Sequence, residues 1–381
     1  MAVLVPDTTV DVFFNAKKIP EVIDSFFINK PFHRIIWNRK QLNFSSKQLE
    51  TFRIDNASSP GGWIAEDGTI AQVFTDPINK TSYDPKLYMD IFTNTGVEQI
   101  FNQNNPDAVL NSLNEKFKVF MKQIEDRFND QLWSRTAAGQ TSAEFKWNNV
   151  ENFMSKTTVV GAITPTSTNR WKANVLDALT DFGSSGDPAD PNDLADPTKD
   201  VYIPDMLDKL IAQNDFKNDM GKTDILVTTA FIFNLTAQII EHQKLGTELG
   251  RSRMGKLLAE MGARFIEYKG IPMIVDEGIT ANQTTDNDGR IYGFTLGIPN
   301  ANQEITVAGV QLDVDDNEGA GLYYTFNAGA VMRMLRPIEP GNQWTVSLRN
   351  VTVGNIVSPD RNSMGMITNI RSPQNYSDGT V

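Results

Sequence analysis

Two histidines, His33 and His242, are all that 381 residues offer for acid–base work near neutral pH, and there is no cysteine. The pair stands about 200 residues apart, and no G-x-S-x-G elbow presents a serine beside either. A histidine metal site is excluded on the same count. His242 falls near a helix end, where a dipole contact explains it. Gly221-Lys222-Thr223 echoes the end of a phosphate loop, but the first glycine's place is taken by Phe216. The tripeptide also precedes a strand, whereas a phosphate loop follows one. Asp286-Asn287-Asp288-Gly289 and Asp313-Val314-Asp315-Asp316-Asn317-Glu318 resemble calcium loops. Their twelfth positions are Thr295 and Tyr324 instead of a bidentate glutamate. Asp187, Asp190, Asp193, Asp196 and Asp200 punctuate an Asp-Pro-rich stretch, 183–200, that reads as a solvated loop. The six tryptophans, Trp37, Trp63, Trp133, Trp147, Trp171 and Trp344, do not alternate with basic residues as a single-strand platform requires. They suit core or interface anchoring. The expectation is therefore no catalytic residue, no metal, no cofactor and no enzyme.

Composition agrees. Apolar residues make up 40% and charged residues 22%, enough to build a core. Net charge is −12 and uneven: residues 1–53 carry +3 and the remainder −15. An acidic body argues against sequence-specific DNA binding. No run of 18 apolar residues is present, and the first residues lack a basic segment before an apolar one. Neither a membrane span nor a secretory signal is expected.

The element that organises the chain is a long helix over 105–137. Asn105 and Pro106 suit its start. Leu110, Leu113, Phe117, Phe120, Met121, Ile124, Phe128 and Leu132 recur at three- and four-residue steps, a stripe of about 120°. Glu115, Lys118, Lys122, Glu125, Asp126 and Asp130 are assigned to the opposite face, and Val119 and Trp133 lie off the stripe.

Around it, residues 1–53 are too apolar for a disordered tail and too broken for a domain. They read as an arm, with a short helix near 21–28, lying on the body or on another copy. Residues 54–104 read as a long hairpin, with a Gly-punctuated segment at 62–74 and a return strand at 86–92. Two strands alone are marginal in water, so this piece also needs a covering surface. From Val201 the pattern becomes α/β. Helices are expected at 204–214, 231–245 and 252–262. Strands are expected at 224–228, 264–268, 271–276, 290–296, 323–326 and 331–335, then at 344–353 and 364–370.

Arm, hairpin, spine helix, compact α/β region and closing strands, in that order, resemble the major capsid proteins of tailed phages, the HK97-type fold. The most telling stretch is 223–276, where TDILVTTAFIFNLTAQIIEHQKLG is followed by ARFIEYKGIPMIVDEGI, including Lys269-Gly270-Ile271-Pro272-Met273-Ile274. The resemblance implies an α+β fold divided as N-terminal arm 1–53, extended hairpin loop 54–104, peripheral domain 105–200, axial domain 201–340 and C-terminal strands 341–381 returning to the peripheral domain. It implies self-assembly as hexamers and pentamers into an icosahedral shell around double-stranded DNA, touched non-specifically, in a virion built in the host cytoplasm. A scaffolding protein, a portal protein and a decoration protein are the implied partners. Only about 53 residues precede the hairpin, so the scaffold is expected as a separate chain. Some relatives join subunits by Lys–Asn isopeptide bonds, but Lys80, Lys86, Asn350 and Asn355 match no crosslinking motif. Two readings stand beside it: a protein-cargo nanocompartment shell of the same fold, and an α/β enzyme using 201–340.

Overall fold

A computed structural model describes residues 30–44, 50–55, 78–95, 106–135, 146–160, 163, 171–182, 185–217, 223–242, 253–260, 262–281, 283, 285–296, 305–307, 310–312, 322–327, 333–334, 345–358, 361–362 and 364–373. Along these run α1 (Pro31–Asn38), β1 (Gln41–Phe44), β2 (Glu50–Asp55), β3 (Ile78–Tyr83), β4 (Lys86–Thr95), α2 (Pro106–Leu132), α3 (Val150–Met154), β5 (Asn174–Asp177), α4 (Pro191–Ala195), α5 (Ile203–Lys217), β6 (Ile225–Thr228), α6 (Ala230–His242), α7 (Arg253–Glu260), β7 (Phe265–Tyr268), β8 (Ile271–Val275), α8 (Glu277–Ala281), β9 (Gly289–Phe294), β10 (Ile305–Val307), β11 (Val310–Leu312), β12 (Tyr323–Asn327), β13 (Arg333–Met334), β14 (Thr345–Val357) and β15 (Met364–Ile370).

The spine helix is α2. Phe120, Met121, Ile124, Phe128 and Leu132 of its stripe are buried, while the side chains of Leu110, Leu113 and Phe117 lie outside the described residues. Two assignments change. Glu125, expected on the wet face, is buried, and Trp133 is drawn into the core against Phe32 at 5.2 Å. The helix gives way to a turn at Trp133, short of residue 137.

Two sheets flank this helix. The first has the order β1-β12-β14-β13, with β4 also paired to β14. The second has six strands in the order β5-β15-β9-β6-β8-β7. One face of the six-stranded sheet, with Ile225, Val227, Ile274, Tyr292 and Phe294, shares a core with α1, α2 and the first sheet. Its other face, with Leu226, Met273, Ile291 and Ile367, packs on α5 and α6 through Leu207, Leu210, Phe233 and Ile240. Burial on both faces explains why β6 reads as a continuous apolar run. β7 and β8 turn about Lys269 (φ 51°) and Gly270 (φ 82°), a two-residue hairpin that needs both positive angles.

Sheet membership cuts across the segments expected from sequence. β5 and β15 join the strands of 225–294, whereas β12 and β13 join the sheet of β4 and β14. Spatial pairing of strands far apart in sequence leaves no local mark. The helix expected near 21–28 and the strand-like 62–74 lie outside the described residues. Further along the arm, α1 carries Phe32, Ile35, Ile36 and Trp37 into the chain's own core. The stretch at 157–160 forms only an isolated bridge, Val160 to Ile163.

Candidate assembly interface

The strand at 86–92 was expected to return along the hairpin. Instead β4 leaves β3 after two residues and runs antiparallel to β14 for ten pairs, from Lys86 opposite Gly354 to Thr95 opposite Thr345. A ten-residue partner with full register outcompetes a local turn. The hairpin proper is β2 with β3, paired from Glu50–Tyr83 to Asp55–Ile78, and this two-stranded ribbon joins no other sheet among the described residues.

β4 alternates strictly. Tyr88 and Phe92 face α2, with Phe92 5.5 Å from Phe120 and Tyr88 4.9 Å from Phe128. Asp90, on that side, takes the Arg127 guanidinium at 2.6 Å and the Tyr88 hydroxyl at 3.0 Å. The other face carries Leu87, Met89 and Ile91, which are 59%, 53% and 49% exposed. Their cross-strand neighbours are Val353, Val351 and Arg349, each partly exposed. On the inward side of β14, Asn350 and Thr352 are wholly buried. Neither amide atom of Asn350 has a hydrogen-bond partner. The β4–β14 pair is therefore apolar towards solvent, while its inward side mixes the aromatic Tyr88 and Phe92 with the polar Asp90, Asn350 and Thr352. A one-sided sheet keeps polar residues outward, so an outward apolar stripe of this kind marks a contact surface. Val119, 57% exposed on the spine helix, is a further isolated apolar residue.

The residues that invited chemical readings are spent on structure. His33 is buried within 5.6 Å of the Tyr324 ring, and burial, then the Lys30 charge, lowers its pKa to about 3. It is neutral at any physiological pH. His242 ends α6, and its side chain lies outside the described residues. Thr223 donates through its backbone N–H and its hydroxyl to Asp215, at 2.8 and 3.0 Å. Asp288 is engaged by Arg290 at 3.1 Å and by Arg135, and Arg290 also pairs with Glu151.

The Asp-rich loop is more ordered than a solvated loop. Asp190 caps α4 by accepting the Asn192 N–H at 2.9 Å, with Pro191 at the first helical position. Asp187, Asp193, Asp196 and Asp200 each accept a backbone N–H as well. Among the described residues no group of three or more acidic or histidine side chains could hold a metal. Trp37, Trp133, Trp147 and Trp171 are core residues. Asn355 is committed too: its Oδ1 accepts the Asn148 N–H and its Nδ2 donates to the Asp84 carbonyl, both at 2.9 Å. Among the described residues no helix is long and apolar enough to cross a membrane.

One structural residue escaped the sequence reading. Arg361 is fully buried and donates to the carbonyls of Phe153 (2.8 Å), Asn152 (3.0 Å), Thr158 (3.1 Å) and Ser155. Burial lowers its pKa to about 10, so it remains charged at neutral pH.

A spine helix between two sheets, with a two-stranded ribbon and an outward apolar strand, defines an α+β architecture. Comparison with solved structures supplies the particular fold. The cyanophage A-1(L) capsid subunit superposes with a TM-score of 0.51 over 91% of this chain and 94% of its own, at 13% identity. The SrpI encapsulin of Synechococcus elongatus PCC 7942 gives 0.47 over the whole of both chains at 10% identity. A chain from Mycobacterium phage Ogopogo gives 0.45 at 9%, over 89% of this chain and 92% of its own. The latter two overlaps are too loose to argue from. No protein-family profile and no curated protein sequence matches the chain. The fold is the HK97-type fold of phage major capsid proteins.

Proposed function

We propose that this chain is a structural shell subunit, the major capsid protein of a tailed phage, which assembles as hexamers and pentamers around double-stranded DNA. The observation that carries this reading is the outward apolar face of β4 and β14, in a fold otherwise used for shells. Leu87, Met89, Ile91, Val351 and Val353 are covered by a second copy, and the β2–β3 ribbon of that copy is the covering piece. Among the described residues the ribbon joins no other sheet, and two strands gain order only on another surface. A contact in which different patches of identical chains meet propagates head to tail and closes into rings and shells. The acidic body keeps contact with packaged DNA non-specific. Scaffolding and portal proteins are the partners such a shell requires, and a decoration protein is a further one.

The test is expression with and without a candidate scaffold, followed by electron microscopy and cargo analysis. Closed particles that take up nucleic acid support the reading. Particles that retain only protein cargo, or a stable monomer binding a metabolite, contradict it. The interlocking role is tested by replacing 50–80, which removes β2, the first half of β3 and the connection between them, with a short Gly-Ser linker. This spares β4, whose removal would strip β14 of its partner. Particles should be lost while the six-stranded sheet stays folded.

A further inference from the structure

Where the spine helix meets the six-stranded sheet, carboxyl groups outnumber the cations that face them. Asp276, wholly buried between β8 and α8, accepts the Gly278 N–H at 3.0 Å and the Asn129 side-chain amide at 3.4 Å through one oxygen, Oδ1. Its Oδ2 and the Asn129 Oδ1 are both buried without a well-aligned hydrogen-bond partner, and the Trp133 indole N–H, itself without one, lies near enough to Asp276 to favour the charged form. One turn earlier on α2, Glu125 is buried with both carboxyl oxygens unpartnered. The helix is pressed close here: a Cβ on Gly278 would lie 2.4 Å from the Trp133 ring and 2.6 Å from Asn129 Nδ2.

The surrounding groups do not balance the charge. From the start of α1, Lys30 pairs with Asp126 and also acts on Glu125, Asp130 and Asp276. Lys122 adds its charge to Glu125. His33 on α1 is held neutral and contributes none. Tyr324 on β12 faces Asp276 with its phenol raised well above its usual range, so it is neutral too. Four carboxyls thus meet one shared lysine and a second at the rim.

We propose that this junction is a proton-operated latch, closed when Asp276 and Glu125 carry protons and loosened when they are ionised. A proton on Asp276 makes its carboxyl a donor, and the Asn129 Oδ1, on a side chain already bonded to Asp276, is a buried acceptor left without one. Desolvation is the main cause that raises Asp276 to about 6 and Glu125 to about 7. Both exceed their ordinary values of 3.8 and 4.5, so the closed state binds more protons than the open one. Its advantage is greatest at acid pH and is lost as pH rises through about 6 and 7. The latch is a property of the subunit, independent of what a shell of it would enclose.

The experiment is hydrogen–deuterium exchange of the full-length subunit, corrected for intrinsic rates, at pH 5 and pH 8. Linkage for Asp276 alone predicts opening of α8 and the last turn of α2 roughly tenfold more often at pH 8. Asp276→Asn supplies the missing donor permanently and should remove most of that difference, protecting the junction at both pH values. Glu125→Gln, which removes the second titrating group without touching the Asn129 pair, should reduce it independently. Equal protection of the wild type at the two pH values overturns the latch. So does an undiminished pH difference in both variants.

Discussion

Replacing Leu87, Met89 and Ile91 together by threonine removes the apolar stripe while keeping side chains that suit a strand. Each wild-type side chain is already about half exposed. Full burial of such a residue is worth about 1.5–3 kcal/mol, so completing it on a neighbour yields roughly 1 kcal/mol apiece and about 3 kcal/mol for the stripe. At 1.4 kcal/mol per factor of ten, the contact should weaken by roughly a hundredfold. The isolated subunit should hardly notice, because exposed positions usually change stability by no more than about 0.5 kcal/mol each. The assay pairs denaturant unfolding of the monomer with light scattering of assembly over a concentration series. The expected result is an unchanged unfolding midpoint and a critical concentration raised by roughly two orders of magnitude. Assembly at the wild-type concentration would refute the reasoning, because the stripe would then face solvent in the particle. Loss of the monomer fold would refute it equally, because the stripe would then be internal.

Other outcomes follow from single residues. Arg361→Met should cost about 3–5 kcal/mol in denaturant unfolding, because two buried and two partly buried carbonyls lose their donor. Arg361→Lys should rescue little, since a point ammonium cannot reproduce the guanidinium fork. Gly278→Ala should cost about 1–3 kcal/mol by forcing Trp133 and Asn129 aside, with a matching change in tryptophan fluorescence. Gly270→Ala, at φ 82°, should cost about 1 kcal/mol by thermal unfolding and leave assembly unchanged.

What sequence reading reached, and what it missed, divides along physical lines. The spine helix was legible because eight apolar residues keep a 3.6 period, and the β7–β8 hairpin because Lys-Gly sits between two apolar runs. Helix α1 was not, since Lys30 offers no capping side chain and eight residues are too few for a clear period. Glu125 reads as a solvent-facing residue from its charge and its place off the apolar stripe, and its burial appears only once the chain is folded. The alternation of β4 was visible, but which face is inward depends on β14, more than 250 residues away. The interface was hidden for the same reason, because alternation alone does not say whether Leu87, Met89 and Ile91 or Tyr88, Asp90 and Phe92 face the core. Arg361 belongs to no motif; its role exists only once the carbonyls of 152–158 converge on it.

The most direct measurement is the mass of the full-length protein, by mass photometry or sedimentation, as concentration rises in the presence of a candidate scaffold. A subunit that leaves an apolar strand face open should pass abruptly from monomers or small rings to closed particles of megadalton mass. A protein that stays monomeric at every concentration, with β4 still solvated, contradicts the account.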